Sequence, residues 1–167
     1  AVLGEFRWSI VVVDGNSPDG TATIVRELTT LYDNVHLLVE PGKRGIALAY
    51  ATGIAYAVRE LGADAFVEFD GDGQHDPRDL GGFVRAFARG ADYVVGSRYV
   101  PGGGIPAGWG LHRKLLSRLG SLYGRILLEL PIHDVTSGYK LTRVVGFVDK
   151  LPLTPEQLLS HHYAYTI

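Results

Sequence analysis

Short apolar segments rich in β-branched residues alternate along this chain with longer segments whose apolar residues recur at helical spacing. The pattern predicts strands at 9–14, 35–39, 65–70 and 91–96 and helices at 21–32, 45–61 and 77–88. Strands that alternate with helices of this length are typical of an α/β fold. The sequence therefore predicts a mostly parallel sheet with helices on both faces.

Polar residues stand where three of the predicted strands end. Asp14 ends the first strand, and Asp70 ends the third with Asp72 just beyond it. Ser97 and Arg98 follow the fourth strand. Open α/β sheets bind ligands at the carboxyl ends of their strands. The three clusters thus predict a binding site along one edge of the sheet.

The turn Asp70-Gly71-Asp72-Gly73-Gln74 is a candidate metal site. Two carboxylates two residues apart can face one divalent cation, and oxygen ligands suit Mg²⁺ or Mn²⁺. The glycines allow a bulky diphosphate to approach the backbone. A polar turn that caps the next helix explains the same residues, with Asp76 as the cap and Pro77 in the first turn.

Two further turns suit a nucleotide diphosphate. Residues 41–45 (PGKRG) open a helix with two cations, and a helix amino terminus attracts anions. Lys43 is the candidate contact there, and Asp14 is the candidate contact to a base or ribose. A solvated basic turn and an ordinary strand-to-helix turn remain the alternatives.

The chain changes character after Arg98. A glycine-rich loop, 101–110, leads into a predicted basic amphipathic helix at 111–130. Its apolar side carries Leu111, Leu115, Leu119, Leu122 and Ile126. Its basic side carries Lys114, Arg118 and Arg125, with Arg113 nearby. From Ser97 to Leu128 the chain has no acidic residue. The helix suits an anionic membrane surface or a bound phosphate, and equally an ordinary solvated surface.

Composition excludes several classes. The absence of cysteine rules out disulfides and thiolate metal sites. A net charge of −2 argues against a general nucleic-acid binder. The length of 167 residues fits one domain, 1–167. Because Ala1 is not an initiator and the chain contains no methionine, we expect a domain that is truncated at its amino terminus or at both ends.

In order along the chain, six segments resemble family 2 glycosyltransferases, and most closely the dolichol-phosphate mannose synthase branch. The segments are VVVDGNSPDGT (11–21), EPGKRGIALAYATGI (40–54), FVEFDGDGQHDP (66–77), DYVVGSRYVPGGGI (92–105), RKLLSRLGSLYGRILL (113–128) and HDVTSGYKLTR (133–143). The last three match the polyprenyl-phosphate branch in particular. The resemblance implies the nucleotide-sugar-binding GT-A fold.

The resemblance also implies roles for single residues. Asp70 and Asp72 match the family's D-x-D motif, with Asp72 and Gln74 nearest the metal. Asp14 matches the first acid of a paired Asp-Asp, whereas Gly15 stands where the second acid is usual. The residues implied to hold the acceptor phosphate are Arg98, Arg113, Ser117, Arg118 and Lys140, the last within the segment 137–140 that matches Ser-Gly-Phe-Arg. The family's opening strand has no counterpart in residues 1–8.

The implied activity is metal-dependent transfer of mannose from GDP-mannose to dolichyl or polyprenyl phosphate, with inversion. Asp72, Arg98 and Arg113 would be the catalytic residues. The expected partners are the nucleotide sugar, the lipid phosphate and a membrane surface met by helix 111–130, and the expected location is the cytoplasmic face of that membrane. Two alternatives remain open: a UDP-sugar donor such as UDP-glucose, and a module that binds nucleotide or lipid without transfer.

Overall fold

The structure, a computed structural model, describes residues 4, 6–105, 108–127, 129 and 131–150. The strands and helices in these residues confirm the predicted alternation, with ends that differ by up to two or three residues. In chain order they are β1 (Ile10–Asp14), α1 (Thr21–Leu31), β2 (Val35–Val39), α2 (Ile46–Arg59), β3 (Ala65–Glu68), α3 (Leu80–Ala88), β4 (Tyr93–Val95), α4 (Leu111–Leu127) and β5 (Lys140–Arg143). Single 3-10 turns lie at Pro77–Asp79 and Val148–Lys150.

The strands form a two-stranded sheet, β1-β2, and a three-stranded sheet in the order β3-β5-β4. β1 and β2 are parallel, with Asp14 opposite Val39 at their carboxyl ends. β4 and β5 are antiparallel, with Tyr93 opposite Thr142. The parallel prediction is therefore confirmed for the first pair, whereas β4 pairs with β5, a strand that the sequence analysis did not predict.

The described chain divides into two compact units. The first comprises the described residues up to Phe66 and those from Val144 to Lys150, and the second comprises Val67–Arg143. The boundary of a single domain at 1–167 stays a prediction. Each unit has a core of its own.

The first unit is built on the alanine-rich helix α2. Ala47, Leu48, Ala51 and Ile54 are buried, and they recur at the spacing that places them on one face of a helix. A Cβ added to Gly53 would lie 3.1 Å from Val13 of β1. Helix and strand thus pack closely, and this packing fixes the carboxyl end of β1 at Asp14.

The second unit has an aromatic core. Phe83 of α3 and Tyr139 are both buried, with ring centroids 4.4 Å apart. The predicted cap of α3 is confirmed one turn earlier, where the Asp76 carboxylate accepts the Arg78 backbone N–H at 2.9 Å before the Pro77–Asp79 turn. The hydrogen bonds from Arg78 lower the pKa of Asp76 to about 2. The cap is therefore ionised at neutral pH, which suits a helix amino terminus.

Helix α4 contacts the rest of the second unit through its small residues. Ser121 is buried, and a Cβ added to Gly124 would lie 3.4 Å from Val135. The large apolar side chains of α4 are exposed to solvent: Leu111 is 84% exposed and Ile126 is 68% exposed. Among the described residues, no helix combines the length and the hydropathy needed to cross a membrane.

Candidate functional site

The turn that follows β3 presents an ionised, exposed carboxylate. The Asp72 carboxylate accepts the Gln74 backbone N–H at 3.0 Å and a second bond from the Gln74 side-chain amide. The bond from the Gln74 backbone lowers the pKa of Asp72. Gly73 between them has φ of 81°, a left-handed conformation that favours glycine. The turn therefore holds Asp72 and Gln74 side by side at the surface.

His75 fixes the base of this turn, a role that the sequence analysis missed. Its Nδ1 accepts the Asp70 backbone N–H at 2.9 Å. Burial lowers the pKa of His75, so the imidazole is neutral and able to accept that bond. The ring stacks on Tyr139 at 4.7 Å with an interplanar angle of 11°. The acidic turn is thereby attached to the 137–140 segment.

The donor set of this turn fits a divalent metal that is shared with a substrate. Asp72 and Gln74 offer carboxylate and amide oxygens, and the Asp70 carboxylate lies 3.8 Å from His75 Nε2. Within the described residues, no three His, Asp or Glu side chains converge into a complete metal cage. Mg²⁺ commonly binds one or two carboxylates and completes its shell with water and substrate phosphates. The metal ligands Asp70, Asp72 and Gln74 stay predictions.

Arg98 is held by a buried carboxylate that the sequence analysis did not single out. Arg98 Nε donates to Asp134 Oδ2 at 2.7 Å, and Nη2 donates to Oδ1 at 2.6 Å. Asp134 is fully buried, whereas the Arg98 side chain is 20% exposed. Burial alone would raise the pKa of Asp134, but the hydrogen bonds and charge of Arg98 lower it overall. The pair fixes the guanidinium and leaves part of it at the surface.

Arginines and aromatic rings alternate around Arg98, and we call this set the arginine–aromatic row. The Arg113 guanidinium lies 4.1 Å from the centre of the Trp109 ring, and Arg98 lies 5.1 Å from the same ring. Tyr99 lies 5.6 Å from Arg98 and 5.8 Å from Arg118. These distances suit cation–π attraction. The row gathers the three arginines predicted to bind the acceptor phosphate.

The other predicted acceptor residues differ in exposure. Ser117 accepts the Tyr99 hydroxyl at 2.7 Å and so borders the arginine–aromatic row. Lys140 is only 3% exposed, and burial lowers its pKa while the charges of Glu68 and Asp134 oppose that change. A direct contact between Lys140 and a bound phosphate stays a prediction. Its neighbour Ser137 ties the segment to β4 by donating to the Gly96 carbonyl at 2.6 Å.

In the first unit, the carboxyl ends of β1 and β2 bring Asp14 and Lys43 to one edge. Asp14 is 4% exposed, and its Oδ2 accepts the Ser17 backbone N–H at 3.0 Å. A Cβ added to Gly15 would lie 3.2 Å from Lys43 Cγ. The lysine stem therefore occupies space that a side chain at position 15 would need. The nucleotide contacts of Asp14 and Lys43 stay predictions.

Glu40 at the same edge was also missed by the sequence analysis. It is 5% exposed and accepts bonds from Arg44 at 2.8 Å and from the Thr52 hydroxyl at 3.2 Å. Its partners lie within twelve residues along the chain. The only signal for it in the sequence is a single acid at the end of an apolar strand, which is too common to be specific.

Comparison with known proteins gives a consistent family. The model of the glycosyl transferase family 2 matches residues 3–148. A polyprenol monophosphomannose synthase of Mycolicibacterium smegmatis is 42% identical over 135 residues, which cover 80% of this chain and 50% of that protein. An undecaprenyl-phosphate mannosyltransferase of Micrococcus luteus is 42% identical over 134 residues, 80% of this chain and 54% of the relative.

A more distant relative agrees. A dolichol-phosphate mannosyltransferase of Pyrococcus furiosus is 36% identical over 155 residues, which cover 90% of this chain and 42% of that protein. The chain thus spans about half the length of the curated relatives it matches. Because the family model covers most of the chain, the protein belongs to glycosyltransferase family 2.

Proposed function

We propose that the protein transfers mannose from GDP-mannose to a polyprenyl phosphate, with inversion at the anomeric carbon. The observation that carries the proposal is the arginine–aromatic row, in which Arg98, Arg113 and Arg118 gather positive charge beside the rings of Trp109 and Tyr99. The three relatives are all mannosyltransferases or mannose synthases of polyprenol-type phosphates, which supports the choice of acceptor and sugar.

The acceptor in this proposal is a phosphate monoester, which is anionic at neutral pH. It needs no strong general base to become a nucleophile. The protein therefore contributes position and charge compensation. Arg113 and the exposed edge of Arg98 hold the phosphate, and Asp134 prevents Arg98 from swinging away, because its bidentate bonds fix the guanidinium.

The transfer step is a single displacement. An oxygen of the lipid phosphate forms a bond to the anomeric carbon while the bond from that carbon to the diphosphate oxygen breaks, and GDP leaves with the electron pair. A divalent metal bound at Asp72 and Gln74, Mg²⁺ or Mn²⁺, would supply positive charge to the leaving diphosphate. Asp72 and Gln74 hold their oxygens at the surface for this purpose.

Asp14 and Lys43 are proposed as contacts of the nucleotide. Asp14 accepts a backbone bond and retains further acceptor capacity for a ribose or base. Gly15 leaves the lysine stem in place where a second acid would crowd it. The choice of guanine in this proposal rests on the mannose named in the functions of the three relatives, since no contact among the described residues of the first unit specifies a base.

Membrane contact through α4 is part of the same proposal. Leu115, Leu119 and Ile126 are each more than half exposed, which is unusual for leucine and isoleucine on a water-facing helix. Arg118 and Arg125 lie on the adjoining side. A helix with this arrangement can lie in the interface of an anionic membrane, where a polyprenyl phosphate is reached.

The test is transfer of label by the full-length protein. Radiolabelled GDP-mannose, polyprenyl phosphate and Mn²⁺ are expected to give label in the lipid phase, and EDTA or Asp72→Ala is expected to remove it. Label that is transferred from UDP-glucose but not from GDP-mannose would show that the donor is a UDP-sugar, while the proposed acceptor would stay the same. Tight nucleotide binding without transfer from any donor would contradict an enzymatic role.

A further inference from the structure

Strand β2 of the first unit has an open edge. Among the described strands, β2 pairs only with β1, in parallel register. The N–H of Glu40, the residue after β2, donates to the Asp14 carbonyl at 2.8 Å. Even-numbered residues of β2 therefore turn their backbone groups toward β1, and odd-numbered residues turn theirs away. The N–H groups of Leu37 and Val39 thus lie at the open edge.

A cleft of about 410 Å³ follows this edge, and we call it the edge groove. Three elements contribute to its lining: Arg26 and Thr29 of α1, His36, Leu37 and Val39 of β2, and Tyr56 of α2. His36 and Leu37 are successive residues of a strand, and so their side chains point to opposite faces of the sheet. Since both residues line the groove, it runs around the edge of β2 rather than lying on one face.

The edge groove offers three kinds of contact. Val39 is 50% exposed, so a ligand can reach the backbone at this edge. Arg26 is exposed and, within the described part of the chain, forms no ion pair with a carboxylate. The ring centroids of His36 and Tyr56 lie 5.7 Å apart, which gives the α2 side of the groove an aromatic surface. The groove therefore combines backbone donors, a cation and aromatic rings.

An extended peptide matches all three contacts. A peptide that adds a strand to an open edge gains backbone hydrogen bonds, while pockets for alternate side chains give specificity. Its side chains alternate between the two faces of the sheet. Acidic residues can then face Arg26 while the residues between them face the rings of His36 and Tyr56. A second copy of this chain matches poorly, because its own α1 and Arg26 would enter the same groove, where like charges repel.

We propose that the edge groove binds an extended acidic segment of a partner protein, which adds a strand beside β2 and places its carboxylates next to Arg26. The residues that line the groove are separate from those proposed to hold the nucleotide, the metal and the acceptor. The partner would thus be attached to the first unit without occupying the donor or acceptor site. The proposal does not depend on sugar transfer.

The experiment measures the fluorescence anisotropy of a fluorescein-labelled peptide in which glutamate and valine alternate, EVEVEV, during titration with the full-length protein. Donor, metal and lipid are left out. We expect saturable binding of this peptide. Two control peptides are expected to bind at least about tenfold more weakly. The peptide KVKVKV reverses the charge, and EVEVEV that is N-methylated at every peptide bond cannot pair with a strand edge.

Two variants with matched controls test the backbone and the charge separately. Val39→Pro removes an N–H at the open edge and leaves the bonds to β1, so we expect about tenfold weaker binding, whereas Val39→Thr keeps the N–H and should bind normally. Arg26→Gln should also weaken binding about tenfold. Arg7→Gln removes the same charge from an exposed arginine of the first unit outside the groove, and it should bind normally. Thermal unfolding checks that each variant is folded, and the Arg26 pair decides the test if Val39→Pro is not.

Four results would overturn the proposal. Absence of saturable binding would show that the edge does not accept this peptide. Equal binding of the N-methylated peptide would show diffuse charge attraction without strand pairing. Equal losses in Arg26→Gln and Arg7→Gln would show that the peptide does not lie in the groove. A dimer in sedimentation velocity that Val39→Pro abolishes would show that a second copy occupies the edge. Because no sugar is transferred in these assays, failure of the proposed transferase activity would leave their outcome unchanged.

Discussion

The acidic turn at 70–76 and the Arg98 segment follow two strands of the same sheet, yet they are held in opposite ways. The acidic turn is stabilised by bonds between residues two to five apart, such as Asp72 with Gln74 and Asp70 with His75. Arg98 is stabilised by Asp134, 36 residues later. The Asp72 carboxylate is exposed, whereas the Asp134 carboxylate is fully buried. A local turn can present a ligand without stabilising the rest of the fold. The Arg98 segment, in contrast, presents a ligand and also stabilises the fold.

Asp72→Ala should give the largest loss of activity with little loss of stability. Asp72 is exposed, and among the described residues it bonds only within its own turn, so the fold does not depend on it. We expect transfer to fall on the order of a thousandfold and Mn²⁺ affinity to fall with it. Steady-state transfer, Mn²⁺ titration and thermal unfolding check these outcomes.

Asp79→Asn is the matched control, because it removes an exposed carboxylate of the same unit outside the turn. It should keep both metal affinity and activity. If Asp72→Ala retained more than a tenth of the activity, or if Asp79→Asn lost as much, the acidic turn would not be the metal site.

Asp134→Ala, unlike Asp72→Ala, should cause a large loss of stability, and it should also weaken acceptor binding because Arg98 loses the carboxylate that holds it. Removing one partner of a buried ion pair leaves the other uncompensated, and we expect the free energy of unfolding to fall by about 3 kcal/mol. Urea unfolding measures it. A double-mutant cycle with Arg98→Leu should show strong coupling, and additive losses would contradict a direct pair.

The same pair predicts a dependence on pH. Because Arg98 lowers the pKa of Asp134 below its unfolded value, the folded protein binds fewer protons at acid pH than the unfolded chain. The pair therefore stabilises the fold fully above about pH 4, and this contribution is lost as pH falls through the folded pKa. In Asp134→Asn the free energy of unfolding should therefore fall less steeply as pH is lowered below about 4. A pH dependence equal to that of the original protein would contradict this account.

Trp109→Leu should have a smaller effect that falls on the acceptor. The ring separates Arg98 from Arg113, and each cation–π contact contributes about 0.5–1 kcal/mol at an exposed site. We expect the KM for polyprenyl phosphate to rise roughly threefold while the KM for the donor is unchanged. Trp8→Leu, in the first unit, should change neither constant. A rise in donor KM alone would refute the positioning role of Trp109.

Tyr139→Phe should have the smallest effect and fall on stability alone. The Tyr139 hydroxyl donates to the Asp76 carbonyl at 3.1 Å, and burial raises its pKa to about 12, so it is protonated at neutral pH. Removal of the hydroxyl should cost about 1 kcal/mol by urea unfolding, with the ring stack on His75 retained. A several-fold loss of activity would show that the hydroxyl has a further role.

The comparison also explains what the sequence could predict. The acidic turn and the Asp76 cap follow from residues near one another, and both turns are found as predicted. The parallel pair β1-β2 follows instead from the alternation of strands and helices, which requires a crossover helix between the two strands. Asp134 could not be chosen from its own neighbourhood, because its partner lies in another segment. β5 escaped prediction because Lys140 and Thr142 are polar yet buried, so its strand has no apolar alternation.

Helix α4 shows a further limit. The spacing of its apolar residues predicts a helix correctly, but this spacing does not determine which side of the helix packs against the rest of the unit. Ser121 and Gly124 pack inward and the leucines point outward, the reverse of the usual arrangement. Which side of α4 is buried depends on Asp134 and Val135. Asp134 accepts a hydrogen bond from Ser121, and Val135 packs so close to Gly124 that the helix needs a small residue there.

We propose that the arginine–aromatic row binds the acceptor, whereas the acidic turn binds the metal and the donor. The most direct measurement is the steady-state kinetics of Arg113→Gln in the full-length protein, with GDP-mannose and polyprenyl phosphate varied in turn. We predict that the KM for polyprenyl phosphate rises about tenfold while the KM for GDP-mannose stays the same. A rise in the KM for GDP-mannose with an unchanged KM for the lipid would contradict the account.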